Sequence, residues 1–151
     1  MADKPSILIV DDDDSVRRTL ALILEEKGYI VDTAETGGEA IRKSMENFYN
    51  LALIDIRLPD MDGIRLLTEM KETIPKIVKI MITGYPTLEN AIEAVNRGAD
   101  GYILKPINID ELLEKIERHL ERQRMERKYS EERVAEFIES RIREMKHKSK
   151  M

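Results

Sequence analysis

A chain of 151 residues, 42% of them hydrophobic and 36% charged, fits one globular domain with a real core and a short appendage, and leaves no room for a second full domain. It has no cysteine, which excludes disulfides, thiolate metal sites and a cysteine nucleophile and agrees with a reducing cytosol. The net charge of −5 is uneven: residues 121–151 hold ten Lys+Arg against seven Asp+Glu, and residues 1–120 hold 15 against 23, so an acidic body unsuited to nucleic acid carries a mildly basic tail.

The chain opens without the apolar core of a signal peptide, and no run approaches the roughly 18 apolar residues of a membrane span, so a cytoplasmic protein without membrane contact is expected. Ser6-Ile7-Leu8-Ile9-Val10 reads as a first strand, followed by Asp11-Asp12-Asp13-Asp14 and an amphipathic helix from Ser15 to Lys27 that stops at Gly28. Ile30 to Ala34 is a second strand. Thr36-Gly37-Gly38-Glu39 has the Thr-x-x-Glu spacing of a capping box and opens a helix to Asn47. Leu51 to Ile56 is a third strand, an apolar run interrupted by Asp55, and the helix beginning past Gly63 is expected to end at Pro75. Ile77 to Ile82 is a fourth strand, Thr87 to Arg97 a helix closed by Gly98, and Gly101 to Leu104 a fifth strand; Asn108, with Glu111 three residues on, caps the last helix. Five βα units imply a parallel sheet covered by helices on both faces.

The last helix has no clear end. Leu112, Leu113, Ile116 and Leu120 form a helical stripe that thins over Gln123–Lys128 and resumes at Val134, Phe137, Ile138, Ile142 and Met145. Ser130 is a candidate cap for a separate segment, so a long helix and a broken one both remain open.

In an open parallel sheet, ligands bind outside the carboxyl ends of the strands. Here those ends deliver Asp11 to Asp14, then Asp55, Thr83-Gly84 and Lys105-Pro106. Helix capping accounts for Asp13 and Asp14. It does not account for Asp11, Asp12 or the separately arriving Asp55. Three carboxylates in one pocket repel unless a cation or proton intervenes, and an all-oxygen ligand set with room for water suits Mg²⁺. Singly, Lys105 reads as a salt bridge and Thr83 as a bonded hydroxyl; together with a metal they form a phosphoryl site in which Asp55 supplies a carboxylate nucleophile.

The motifs ILIVDDDDSVR, LIDIRLPDMDG, IMITG and GYILKP, spread over residues 5–120, resemble the receiver domain of two-component response regulators. The resemblance implies an α/β, flavodoxin-like doubly wound (βα)5 fold, with a parallel five-stranded sheet of order 2-1-3-4-5. It divides the chain into a receiver over 1–120 and a charged amphipathic helical tail or linker over 121–151. Asp55 is then the phosphoacceptor, served by a histidine kinase, a phosphotransfer protein or a small phosphodonor. Asp11, Asp12, Asp55 and the backbone carbonyl of Arg57 hold Mg²⁺, Lys105 pairs with the phosphoryl group, and Pro106 takes the family's cis peptide position. Thr83 and Tyr102 form the switch pair that alters the face of the fourth helix, fifth strand and fifth helix toward a downstream protein target. Gly84 leaves room for the phosphoryl group, and a bulky Tyr85, with Arg57, is expected to shield the acyl phosphate and slow self-dephosphorylation.

On this reading the protein is no enzyme toward external substrates and catalyses only its own phosphorylation and dephosphorylation. It signals by presenting a changed surface to another protein or by changing its self-association, as a homodimer, through the tail. The rivals are the N-terminal receiver of a larger regulator with a missing output domain, and an Mg²⁺-dependent phosphohydrolase or cofactor binder. Short loops without a Gly-rich phosphate cradle count against the last.

Overall fold

The structure, a computed structural model, describes residues 4–149. Strands β1 (Ser6–Val10), β2 (Ile30–Ala34), β3 (Leu51–Asp55), β4 (Val78–Thr83) and β5 (Gly101–Leu104) alternate with helices α1 (Asp14–Glu26), α2 (Gly37–Glu46), α3 (Gly63–Glu69), α4 (Leu88–Asn96) and α5 (Ile109–Ser149). The strands form one parallel sheet of order β2-β1-β3-β4-β5, as expected.

Side chains of successive strand residues point to opposite faces, and here both faces are covered. Leu8, Val10, Ala52, Ile54 and Met81 pack against Ala40 of α2, Ile64, Leu66 and Leu67 of α3, and Ala94 of α4. Ile7, Ile9, Leu51, Leu53, Ile80 and Ile82 pack against Leu20 and Leu24 of α1 and Leu112, Ile116 and Leu120 of α5. The central strand β3 is consequently buried along its whole length, Asp55 included.

The helix starts follow their capping residues. Asp13, Thr36, Thr87 and Asn108 accept the amides of Val16, Glu39, Asn90 and Glu111. Gly28 and Gly98 stop α1 and α4 with φ of 96° and 101°, the left-handed conformation in which glycine is unhindered.

Two helix ends differ from or settle the sequence reading. Helix α3 ends at Glu69 rather than running to Pro75. Lys79 of β4 donates its Nζ to the Leu67 carbonyl at 2.5 Å, and Ser44 of α2 accepts the Lys71 amide, so side chains of neighbouring elements replace the next helical turn. Helix α5 is one unbroken helix of 41 residues, about 60 Å long, and Ser130 lies inside it without capping anything. It contains neither Gly nor Pro, and the pairs Glu121–Arg124 and Arg127–Glu131 support the stretch where the apolar stripe thins.

The docking of α5 on the body ends at Gln123. Its buried amide donates to the carbonyls of Asn50 (2.9 Å) and Lys76 (2.8 Å) and accepts from Asn50 Nδ2 (3.0 Å). From Arg124 to Lys148 every residue of the helix is exposed.

Candidate functional site

The strand order reverses beside β1, and the carboxyl ends of β1 and β3 frame the crevice where such folds place their ligands. Asp11 follows β1 directly and Asp55 is the last residue of β3. Both are buried, Asp12 is exposed, and the three offer carboxylate oxygens that all lie within 4.8 Å of one another. Lys105, just past β5, donates its Nζ to Asp55 Oδ2 at 3.1 Å and lies 3.5 Å from Asp11 Oδ2. The Lys105–Pro106 peptide is cis, as the resemblance implied.

The electrostatics match a cation site. Burial pushes the Asp11 carboxyl above its ordinary value, and the charges of Asp55 and Asp12 add to it against the Asp13 amide and Lys105. Burial alone would lower Lys105, but its hydrogen bond to Asp55 and the charges of Asp11 and Asp55 outweigh it and hold the ammonium above its ordinary value. One ammonium does not balance three carboxylates. The hard oxygen donors and the residual negative charge fit a divalent cation of the Mg²⁺ type, with Asp11, Asp12 and Asp55 as the residues to hold it.

The loop after β3 is built to bring the chain back over its own strand end. Gly63 donates its amide to Ile56 at 2.6 Å, Arg57 bridges antiparallel to Asp62, and a Cβ at Gly63 would stand 2.1 Å from the Asp55 carbonyl oxygen. Only glycine permits that approach. The Arg57 amide points to Asp55 Oδ1 at 3.3 Å, so both oxygens of Asp55 have a donor.

Thr83 ends β4, is buried, and its Oγ1 accepts the Tyr85 amide at 3.0 Å. Tyr102 pairs with Met81 in the β4–β5 register and packs into the core on the side of α2, α3 and α4. Strand alternation puts Thr83 on that same side. The Tyr102 hydroxyl is buried with no hydrogen-bond partner among the described residues.

Three contacts lie outside what the sequence reading found. The Arg57 guanidinium sits 3.8 Å from the centroid of the Tyr85 ring, so the two residues expected to flank the site stack on each other. Asp60 accepts the amides of Gly37 and Gly38 at 2.9 Å each, tying the β3–α3 loop to the start of α2. Arg17 is buried on α1 and donates to the Asp11 carbonyl. Its signal was in the sequence: Arg17 stands at the helical spacing of Leu20 and Leu24, a charge on an apolar stripe.

A doubly wound parallel sheet with three carboxylates and a lysine gathered at the carboxyl ends of its strands defines a class of α/β domains with an acidic ligand crevice, and comparison with known proteins narrows the class. The model of the response regulator receiver domain family matches residues 7–117. The chain belongs to this family, the receivers of two-component systems. The regulatory protein AtoC of Escherichia coli K12 is 38% identical over 121 residues, 80% of this chain but 26% of its own length. This chain therefore spans about a quarter of that relative. Among solved structures, a CheY-like receiver domain from Methanospirillum hungatei superposes with a TM-score of 0.79 at 48% identity, covering 82% of this chain and 99% of its own. A Burkholderia pseudomallei response regulator, solved with a phosphorylated aspartic acid and a calcium ion, has a TM-score of 0.66 at 30% identity over 74% of this chain and 65% of its own.

Proposed function

We propose that the protein is a phosphorylation-controlled receiver in which Asp55 accepts a phosphoryl group from a phosphohistidine of a histidine kinase or phosphotransfer protein, or from a small acyl phosphate. The observation that carries this reading is the buried Asp55 carboxylate at the mouth of the crevice, between two further carboxylates and the Lys105 ammonium. In the transfer, an Asp55 oxygen forms the new O–P bond as the donor's bond to phosphorus breaks. That bond is the N–P bond of a phosphohistidine, with its electron pair leaving on the imidazole nitrogen, or the O–P bond of an acyl phosphate, with its pair leaving on the carboxylate oxygen. Mg²⁺, held by Asp11, Asp12, Asp55 and the Arg57 carbonyl, would neutralise charge on the phosphoryl oxygens. Lys105 is already beside Asp55 Oδ2 and passes to a phosphoryl oxygen once that carboxylate becomes an acyl phosphate. In hydrolysis, water attacks phosphorus, the Asp55 O–P bond breaks with its electron pair returning to the carboxylate, and the phosphoryl group leaves as inorganic phosphate.

Thr83 uses its oxygen to accept the Tyr85 amide, leaving its hydroxyl proton for a phosphoryl oxygen. Movement of Thr83 would draw the Tyr85 backbone with it and change the space available to Tyr102. The Tyr102 hydroxyl, without a partner among the described residues, supports a two-state reading, because a buried polar group without a partner costs about 1–3 kcal/mol and leaves its position weakly favoured. The outward face of α4 carries Leu88, Ile92 and Val95 at helical spacing, all exposed, with exposed Leu104 on β5. These fit a protein target on the α4–β5–α5 face. An apolar groove of Val16, Leu20, Pro106, Ile107 and Ile109 beside Lys105 fits the approach of a phosphodonor protein.

The reading makes the protein cytoplasmic and no enzyme toward external substrates. A second reading, the receiver portion of a longer regulator, is favoured by the 26% of AtoC that the chain spans and by a helix that leaves the body at Gln123. Exposed Val134, Phe137, Ile138, Ile142 and Met145 on that helix also suit self-association. Incubation with acetyl phosphate and Mg²⁺, read by intact mass, tests the proposal: one phosphoryl group should be gained, and none in EDTA or in Asp55→Ala.

A further inference from the structure

A guanidinium is rarely buried without a task, because its desolvation must be matched by several bonds. Arg17 is 7% exposed, and each of its bonds lands on or beside the turn that carries the acidic pair. Nη1 donates to the Asp11 carbonyl oxygen at 2.8 Å; Nη2 donates to Asp14 at 2.9 Å and to Glu35, in the β2–α2 loop, at 3.2 Å. The Asp11 carbonyl belongs to the same rigid peptide unit as the Asp12 N–H. A bond to that oxygen therefore fixes the plane through which the chain passes from Asp11 to Asp12.

The two carboxylates depend on this bond unequally. Asp11 has other restraints: its amide donates to Ala34 at 3.1 Å and its Oδ1 accepts the Asp13 amide at 2.9 Å. Asp12 is exposed, and no side-chain hydrogen bond or ion pair holds it among the described residues. The backbone alone restrains where this side chain starts from.

We infer that Arg17 is a positioning residue for the divalent cation, orienting the Asp11–Asp12 peptide so that both carboxylates face Asp55. The inference rests on the metal reading of the acidic pocket proposed above. It differs in sign from a simple charge effect. A cation near the pocket repels Mg²⁺, so loss of the charge alone would tighten binding, whereas loss of the clamp loosens it.

The test is titration of the full chain with Mg²⁺ alone, without phosphodonor, followed by calorimetry or by amide chemical shifts. Arg17→Lys keeps the charge and loses the three-way clamp; Arg17→Met loses both. Both should bind Mg²⁺ on the order of tenfold more weakly than wild type, the low end of what partners of metal ligands contribute. Far-UV circular dichroism and thermal unfolding in EDTA check that each variant is folded, and Arg17→Lys alone decides should Arg17→Met not fold. Wild-type affinity in Arg17→Lys, or tighter binding in Arg17→Met, overturns the inference while leaving the metal reading standing. Failure of wild type itself to bind Mg²⁺ removes the metal reading and the inference together.

Discussion

The two edges of the same sheet are built on opposite plans. At the carboxyl edge, three carboxylates share a pocket with one ammonium, and the nearby Tyr102 hydroxyl is buried with no hydrogen-bond partner among the described residues. At the amino edge, neutral amides close on each other: Gln123 bonds Asn50 and Lys76, Asn50 Oδ1 accepts the Ser6 amide, and the backbones of Ser6, Asn50 and Val78 are joined. One edge stores unbalanced charge that a ligand can relieve, and the other fixes the frame against which that relief is felt. The contrast teaches where change is cheap. Parts that respond to a ligand must lie near balance, and parts that transmit the response must not.

The largest expected effect is at the carboxyl edge. Lys105→Met should slow phosphoryl transfer to Asp55 by on the order of 10²-fold, the usual loss when one charge-stabilising donor is removed, measured as the rate of mass gain with acetyl phosphate. The matching break at the amino edge is Gln123→Ala, which removes one donor each from the Asn50 and Lys76 carbonyls and the acceptor of the Asn50 side-chain amide. It should destabilise the body by about 2 kcal/mol in urea unfolding, with no change in the labelling rate. Tyr102→Phe sharpens the comparison in the other direction. Removing an unsatisfied hydroxyl should stabilise the unphosphorylated protein by about 1 kcal/mol, whereas the same loss of stability as in Gln123→Ala would deny that the two edges differ.

Smaller effects follow. Tyr85→Ala dismantles the stack with Arg57 and should shorten the phosphoryl lifetime by a factor of a few; rapid loss of label in both wild type and variant would dispose of the shielding role. At the amino edge, His119 packs over Gly101 of β5, and burial first, then Arg122, hold its imidazole below the ordinary value of 6.5, with Asp100 opposing. A depressed folded pKa means stability that is present above 6.5 and lost as pH falls through the lowered value. Thermal unfolding at a series of pH values should show this loss in wild type and a flatter profile in His119→Gln.

Much of the fold could be read from local signals, because each element carries its own. The strands are apolar runs bounded by caps at Asp13, Thr36, Thr87 and Asn108 and by stops at Gly28 and Gly98, and repetition of the unit fixes the parallel sheet. The site was legible where residues sit at or just past strand ends: Asp11, Asp12, Asp55 and Lys105 converge because parallel strands all present the same end. What could not be read depends on contacts between distant elements. The early end of α3 is imposed by Lys79 and Ser44, and the stacking of Arg57 on Tyr85 joins two loops. Asp60 reaches back across 23 residues to Gly37. Arg17 left a trace, a charge on a buried stripe, but its partner is a backbone carbonyl, which no sequence pattern marks.

The central claim concerns which atom carries the phosphoryl group, and locating it is the most direct measurement. Wild-type protein labelled with acetyl phosphate and Mg²⁺ would be digested with protease under acid conditions and the labelled peptide sequenced by mass spectrometry. The account predicts a single modified residue, Asp55, and an unlabelled Asp55→Asn. A label on any other residue, or one retained in Asp55→Asn, would contradict it.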